Sequence, residues 1–350
     1  MIIKNLKKNL LFTEDNLLLA INKLQTNQIK TILVINKKKQ LVGTITDGDV
    51  RRALLKGANK ETKISYILNP KPKVFSIQSK LNKNKVDEES ELIPFINKKR
   101  IIKYAIYNKK KFENKEKKNN VDVVIMAGGP GKRLMPYTLD TPKPLIKIHK
   151  KPIIEYIINN LAKHEFKNIY VSLFYKSEKI KKFFKKKRYQ FQINFLEEKT
   201  PLGTAGSLSL LDYKSLQDNI IIHNGDVITN LNFKNLLEFH NDLDSDITVC
   251  AKEYTDVSPF GKIYHNLHKI NKIVEKPKST NFFNAGIYVI KKKIIKDLPL
   301  KYLDMTSLIE KKILSELNVN IYPIYEYWVD VGRKEILKEL FKNKDKVFKN

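Results

Sequence analysis

The chain has 350 residues, 42% apolar and 30% charged, a balance that fits a globular protein with room for two domains and a sizeable core. Lys and Arg number 67 against 37 Asp and Glu, a formal net charge of +30. No run approaches the ~20 apolar residues needed to cross a bilayer, and Met1 to Phe12 lacks an apolar leader core, so a cytoplasmic protein with no membrane span and no signal peptide is expected.

In chain order, Thr13 is a candidate cap for a helix with Leu17, Leu18, Ala20, Ile21 and Leu24 on one face. Thr31 to Ile35 and Leu41 to Thr46 read as strands joined by a turn over Asn36 to Gln40. A helix with Val50, Ala53, Leu54 and Leu55 follows the Asp47-Gly48-Asp49 corner. Residues 74–107 echo this unit: Glu91 to Ile96 and Arg100 to Tyr107 are the strands and Asn97-Lys98-Lys99 the turn. The echo is weak, because Val74 to Ser90 is short and polar where the first copy has a helix. Residues 108–120 are almost wholly polar and make the best linker in the chain. The expected organisation is a small α+β domain over 1–112, a linker over 113–120 and a larger domain over 121–345.

In the larger part, Val121 to Met126, Ile169 to Phe174, Ile193 to Leu196, Ile220 to Ile222, Ile247 to Ala251 and Ala285 to Ile290 read as strands, and Ile153 to Leu161 as a helix. Strands separated by helices imply an α/β, Rossmann-like, mainly parallel sheet covered on both faces, with ligands outside the carboxyl ends of the strands.

The positive excess invites a nucleic-acid reading. Composition weakens it: the lysines are dispersed and abundant together with Asn and Ile, all three with A/T-rich codons. In the densest patch, Lys176 to Arg188, Ile180, Phe183 and Phe184 fall at helical spacing, a solvated basic face over an apolar stripe. Cys250, the single cysteine, lies in an apolar run and reads as a small buried hydrophobe. The six histidines are scattered; His265 and His268 lack a third ligand at zinc spacing and read as surface or turn residues.

The first strand is followed by Ala127-Gly128-Gly129-Pro130-Gly131-Lys132-Arg133-Leu134. Its glycines let main-chain N–H groups approach a phosphate. A dinucleotide fingerprint would want Gly where Leu134 stands, and a P-loop Gly where Met126 stands. Pro136, Thr138 and then Pro142-Lys143-Pro144-Leu145 follow, the prolines stiffening a segment that carries two cations. This spacing resembles the signature of the sugar-1-phosphate nucleotidyltransferases. The resemblance runs on through Glu198 to Gly206, Asn224-Gly225-Asp226, Glu275-Lys276-Pro277, Asn284-Ala285-Gly286 and Trp328-Val329-Asp330-Val331-Gly332, in order over about 210 residues. Many family members carry Thr in place of Lys132.

The resemblance implies transfer of a nucleotidyl group to a sugar 1-phosphate with loss of pyrophosphate. It implies a nucleotide site at Ala127, Gly128, Gly129, Gly131, Lys132, Glu198, Gly203 and Thr204, and a sugar-phosphate site at Glu275, Lys276, Asn284 and Gly286. Arg133, Lys143, Asp226 and Asp330 would be catalytic, with Asp226 and Asp330 on Mg²⁺, a hard cation suited to carboxylates and phosphates. Within the family the fusion described next points to guanylyltransferases, with GTP and glucosamine 1-phosphate or a mannose-like sugar 1-phosphate favoured, for surface glycans or sialic-acid-like sugars. Thymidylyl- or uridylyltransfer to glucose 1-phosphate is the near alternative, and a regulatory protein that keeps the fold without catalysis is the alternative of another class.

Leu41 to Arg52 resembles the end of a CBS module, whose pairs bind adenine nucleotides and associate into homo-oligomers. Thr46 and Asp49 match that family's ribose and phosphate contacts. Two readings stand: both residues cap a helix, or both cap it and hold a ligand.

Overall fold

A computed structural model describes residues 1–27, 29–78, 91–108, 121–164, 166 and 168–342. The expected linker falls outside the described residues. The chain separates into two units, Met1–Lys117 and Lys118–Asn350.

The N-terminal unit contains β1 (Ile2–Ile3), β2 (Leu10–Phe12), α1 (Leu17–Thr26), β3 (Thr31–Ile35), β4 (Leu41–Thr46), α2 (Asp47–Leu55), β5 (Phe75–Ser76), β6 (Leu92–Ile96) and β7 (Ile102–Tyr107). The echo read from the sequence is geometric. β2 runs parallel to β3 and β3 antiparallel to β4; β5 runs parallel to β6 and β6 antiparallel to β7. Both hairpins turn the same way. The N–H of Asn36 donates to Gln40 O and that of Asn97 to Ile101 O, both at 3.0 Å, and Lys39 and Arg100 both take the left-handed conformation. Asn36 and Asn97 each accept the N–H four residues on with Oδ1, an Asx contact that fixes the loop.

Helix starts differ from expectation. Asn16, not Thr13, caps α1, its Oδ1 accepting from Leu19 N at 3.1 Å, while Thr13 N is used by Ile35 O. α2 begins at Asp47 because Thr46 and Asp49 form a reciprocal capping box, which makes the Asp-Gly-Asp corner the first helical turn.

The second unit contains β8 (Val121–Met126), β9 (Lys147–Ile148), β10 (Lys151–Pro152), α3 (Ile153–Leu161), β11 (Asn168–Leu173), α4 (Ser177–Lys185), β12 (Gln192–Glu197), α5 (Gly203–Gly206), β13 (Asn219–Asn224), β14 (Val227–Thr229), α6 (Phe233–Asp242), β15 (Ile247–Val257), β16 (Lys262–Asn266), β17 (Lys269–Val274), β18 (Lys278–Lys291), α7 (Met305–Leu314), β19 (Val319–Ile324), β20 (Trp328–Asp330) and α8 (Lys334–Lys342). A seven-stranded sheet has the order β12-β11-β8-β13-β18-β15-β19. All neighbours are parallel except those of β18, which is antiparallel to both β13 and β15. The fold is thus a Rossmann-like α/β sheet of mixed direction.

The strands are apolar because both faces are covered. Val123 and Ile125 of β8 join a core with α3, α4, α6 and α8, whereas Val124 points into a second core with Leu208 and α7. Each such side chain contributes about 1.5–3 kcal/mol on full burial. Cys250 is fully buried in the first core.

Two features escaped the apolar pattern. β19 contains Pro323, which argues against a strand; as the edge of the sheet it needs no donor on its outer side. β15 and β18 run beyond the sheet as a two-stranded ribbon that carries the hairpin β16–β17. His265 and His268 are exposed in that hairpin, as expected.

Candidate active site

The carboxyl ends of β8, β11 and β13 open into a cavity of about 500 Å³. Ala127, Gly128, Gly129, Gly131, Lys132, Arg133, Lys143, Glu198, Gly203, Thr204 and Asp226 all line it. Parallel pairing of β8 with β11 and β13 brings their ends to one rim, and Ala127 N donates to Ser172 O at 3.0 Å to hold the loop there.

Gly131 is left-handed (φ 64°), and a Cβ on it would stand 2.9 Å from Thr138 Cγ2. Only glycine turns the chain there without strain. Its carbonyl accepts from Leu134 N at 2.9 Å and Thr138 Oγ1 at 3.1 Å, closing the turn that carries Lys132 and Arg133. Gly129 is exposed, with nothing within 4 Å of its side-chain position. The loop therefore leaves space over its main chain on the cavity side.

Asp226 and Asp330 lie far apart in sequence and meet through β14 and β20. These strands pair antiparallel with Val227 opposite Asp330, and Val331 N donates to Asp226 O at 2.9 Å. Gly332 N holds Asp330 Oδ1 at 2.7 Å. Arg133 Nη2 reaches the same spot, since a Cβ on Gly332 would meet both Asp330 Oδ1 and Arg133 Nη2. Lys143 forms an ion pair with Asp226, with both side chains largely buried. Burial raises the Asp330 carboxyl above its usual range, and the Asp226 carboxylate adds to this; Lys143, the Gly332 N–H and Arg133 oppose the rise. The four residues expected to be catalytic are thus one electrostatic cluster. Lys143 stands on a carboxylate here.

Glu198 follows β12. Its Oε1 accepts from Ser172 Oγ at 2.5 Å and its Oε2 from Leu202 N at 2.8 Å. A carboxylate has about four acceptor positions, so each oxygen retains one for a ligand. Thr204 Oγ1 accepts from Met305 N at 2.8 Å, tying the Gly203 turn to the start of α7.

The residues expected at a sugar phosphate are dispersed. Glu275 and Lys276 are exposed in the turn between β17 and β18, away from the cavity lining. Gly286 packs on the Asn224 side chain at the cavity edge, and its N–H donates to Asn284 Oδ1 at 2.9 Å. Met126, Ser172, Phe174, Pro201, Asn224 and Tyr302 also line the cavity and were not singled out as site residues from the sequence. Asn224 lay inside a quoted motif; Tyr302 and Phe174 carry no motif signal. Among the described residues, no group of three or more His, Cys, Asp or Glu is placed to hold a metal. Two adjacent carboxylates, Asp330 raised by burial and further by Asp226, do fit a hard cation that completes its shell with phosphate oxygens.

The model of the family described as "Nucleotidyl transferase" matches residues 122–346. The chain belongs to the nucleotidyl transferase family. The chain is 34% identical over 219 residues to mannose-1-phosphate guanyltransferase 2 of Candida glabrata, covering 60% of this chain and 61% of that protein. It is 33% identical over 222 residues to mannose-1-phosphate guanyltransferase of Yarrowia lipolytica, covering 60% of each. The chain thus spans about three-fifths of the length of the curated relatives it matches. The crystal structure of HddC from Yersinia pseudotuberculosis complexed with GMP-PN is similar at a TM-score of 0.50 and 29% identity, covering 63% of this chain and 98% of that one. No helix among the described residues is long and apolar enough to cross a membrane.

Proposed function

We propose that the protein joins a nucleoside triphosphate to a sugar 1-phosphate and releases pyrophosphate, with GTP as donor and glucosamine 1-phosphate or a mannose-like sugar 1-phosphate as acceptor. The observation that carries this reading is the convergence of Arg133, Lys143, Asp226 and Asp330 beside an open glycine loop. A phosphate oxygen of the sugar 1-phosphate bonds to the α-phosphorus, and the bond from that phosphorus to the bridging oxygen breaks. The attacking phosphate is largely ionised near neutral pH, so no side chain has to remove a proton. Arg133 and Lys132 offset charge on the triphosphate, and the glycine loop lets it approach the main chain. Asp226 and Asp330 would hold Mg²⁺, which supplies charge neutralisation on the reacting phosphates. Lys143 holds the Asp226 carboxylate in place through its ion pair.

Glu198 supports GTP. Guanine offers two adjacent donors, N1–H and N2–H, to the two remaining acceptor positions of a carboxylate. Thymine and uracil offer one donor between two acceptors, which a carboxylate repels. The guanyltransferase relatives and the GMP-PN complex of HddC point the same way. On this reading the protein works in the cytoplasm and supplies a nucleotide sugar for surface glycans or sialic-acid-like sugars. The doubled hairpin supports a CBS-like pair for the N-terminal unit, with an adenine nucleotide and self-association as its proposed roles. Thr46 and Asp49 there serve the α2 cap, and Asp49 also holds Arg52 at 2.5 Å.

The test is a matrix of ATP, GTP, CTP, UTP and dTTP against glucose, mannose, glucosamine, N-acetylglucosamine and heptose 1-phosphates with Mg²⁺, read by mass spectrometry and pyrophosphate release. A GDP-sugar that disappears in Asp226→Ala supports the proposal. A UDP- or dTDP-sugar instead overturns the choice of base. Silence throughout, with no binding of any Mg²⁺–triphosphate, leaves the regulatory alternative.

A further inference from the structure

Lys143 makes its ion pair with Oδ2 of Asp226, one of the two carboxylates proposed above to hold a divalent cation. The Lys143 and Asp226 side chains are only 11% and 22% exposed, so salt in the solvent screens the contact little. Asp330 is engaged as well: Gly332 N donates to its Oδ1 at 2.7 Å, and Arg133 Nη2 stands beside it. Two cationic side chains therefore already face the two carboxylates, and their formal charges cancel.

The main chain under Lys143 is stiff. The residue opens a single 3-10 turn between Pro142 and the buried Pro144, so it is the four-carbon stem that can move. That stem starts against the glycine loop, where a Cβ on Gly131 would stand 3.2 Å from Lys143 Cβ. The side chain thus reaches from the loop proposed to face the triphosphate to the carboxylate of Asp226, and Gly131, Lys143 and Asp226 all line the cavity.

We propose that Lys143 is a placeholder: its ammonium and a divalent cation exclude one another at Asp226, and the cation is taken up there only when a triphosphate draws the ammonium away. The proposal rests on the reading of Asp226 and Asp330 as the metal pair. The ion pair holds Asp226 in position until then, and the cation does so afterwards. A cation on either Asp226 oxygen would face the ammonium across one carboxylate, a separation at which like charges repel strongly. Ligands coupled in this way change each other's affinity by roughly 5- to 150-fold.

Mn²⁺ is the probe, titrated into the nucleotide-free protein and followed by electron paramagnetic resonance. Lys143→Met keeps an unbranched apolar stem and removes the charge. It should bind Mn²⁺ at least about tenfold more tightly than the parent, and Asp226→Asn added to it should abolish the gain. A lysine that only braces Asp226 predicts the opposite sign, because its loss would loosen the carboxylate and weaken Mn²⁺ binding. Equal or weaker binding by Lys143→Met therefore overturns the proposal. If no form of the protein binds Mn²⁺ through Asp226, with or without a non-hydrolysable GTP analogue, the reading of the metal pair falls with it. If Lys143→Met does not fold, the parent decides. Micromolar binding of Mn²⁺ without nucleotide that Asp226→Asn removes overturns the placeholder; Asp226-dependent binding that emerges only with the GTP analogue supports it.

Discussion

Acidification from pH 7 should strip stability from the unit that holds the site, through two histidines buried inside it. His223 and His240 are 1% and 0% exposed. Burial lowers both imidazoles from 6.5 to about 4. His240 has Thr248 Oγ1 at 2.8 Å on Nδ1 and no hydrogen-bond partner for Nε2 among the described residues, so an added proton there would be unshared. The folded-state value is depressed, so both rings are neutral in the native protein at pH 7 and stability there is intact. Below about 6.5 the unfolded chain takes up a proton at each site and the folded chain does not, so stability falls until pH reaches about 4. A depression of about 2.5 units is worth about 3 kcal/mol per ring, and two rings together rival the 5–15 kcal/mol of a whole domain. Between pH 6 and 5 the loss from these two rings should be about 2 kcal/mol per pH unit, and His164 of the same unit, whose imidazole burial also lowers to about 4, adds about half as much again. His223 donates to Asn224 O at 2.8 Å just before the turn that aims Asp226, so the site should fail with the fold. Urea unfolding followed by fluorescence of Trp328, the single tryptophan, reports on this unit. In His240→Gln the slope should fall by about a third. An unchanged slope, or an imidazole of His240 that titrates near 6.5 by NMR, would refute the argument.

Three further outcomes are expected. Glu198→Gln should lower kcat/KM for GTP by roughly 10- to 200-fold and narrow the gap to UTP and dTTP, measured in the reaction matrix. Asp330→Asn should cost at least about a hundredfold in rate yet raise the thermal midpoint, because it removes a carboxyl that burial and Asp226 disfavour; a lower midpoint by calorimetry counts against that account. Thr46→Ala should cost the N-terminal unit about 1 kcal/mol by opening the α2 capping box, seen as faster hydrogen exchange at the start of α2.

Six strands of the large sheet were legible because buried parallel strands are apolar runs between polar turns. Their order was not, since nothing in Ala285 to Ile290 marks it as the strand that runs against its neighbours. The hairpin β16–β17 was illegible for another reason: its isoleucines alternate with lysines and lie outside any core, so it has the composition of a loop. In the site, the motif located Arg133, Lys143, Asp226 and Asp330 because each lies in a run of fixed neighbours. Tyr302 and Phe174 reach the cavity only through the way strands and turns stack, which no local spacing encodes. The capping box at Thr46 was legible, whereas Asn16 was passed over for a threonine three residues earlier.

The pairing of β14 with β20 also sets a timetable for biosynthesis. The glycine loop leaves the ribosome roughly 200 residues before Asp330, about 10–40 s ahead at ordinary elongation rates. Over the second half of that interval, once Asp226 has been made, the nascent chain displays it without its partner carboxylate and without the strand that fixes it. Incomplete chains therefore lack the paired carboxylates, and on the proposed mechanism any product released before residue 330 should be inert toward triphosphates however well its first strands have folded.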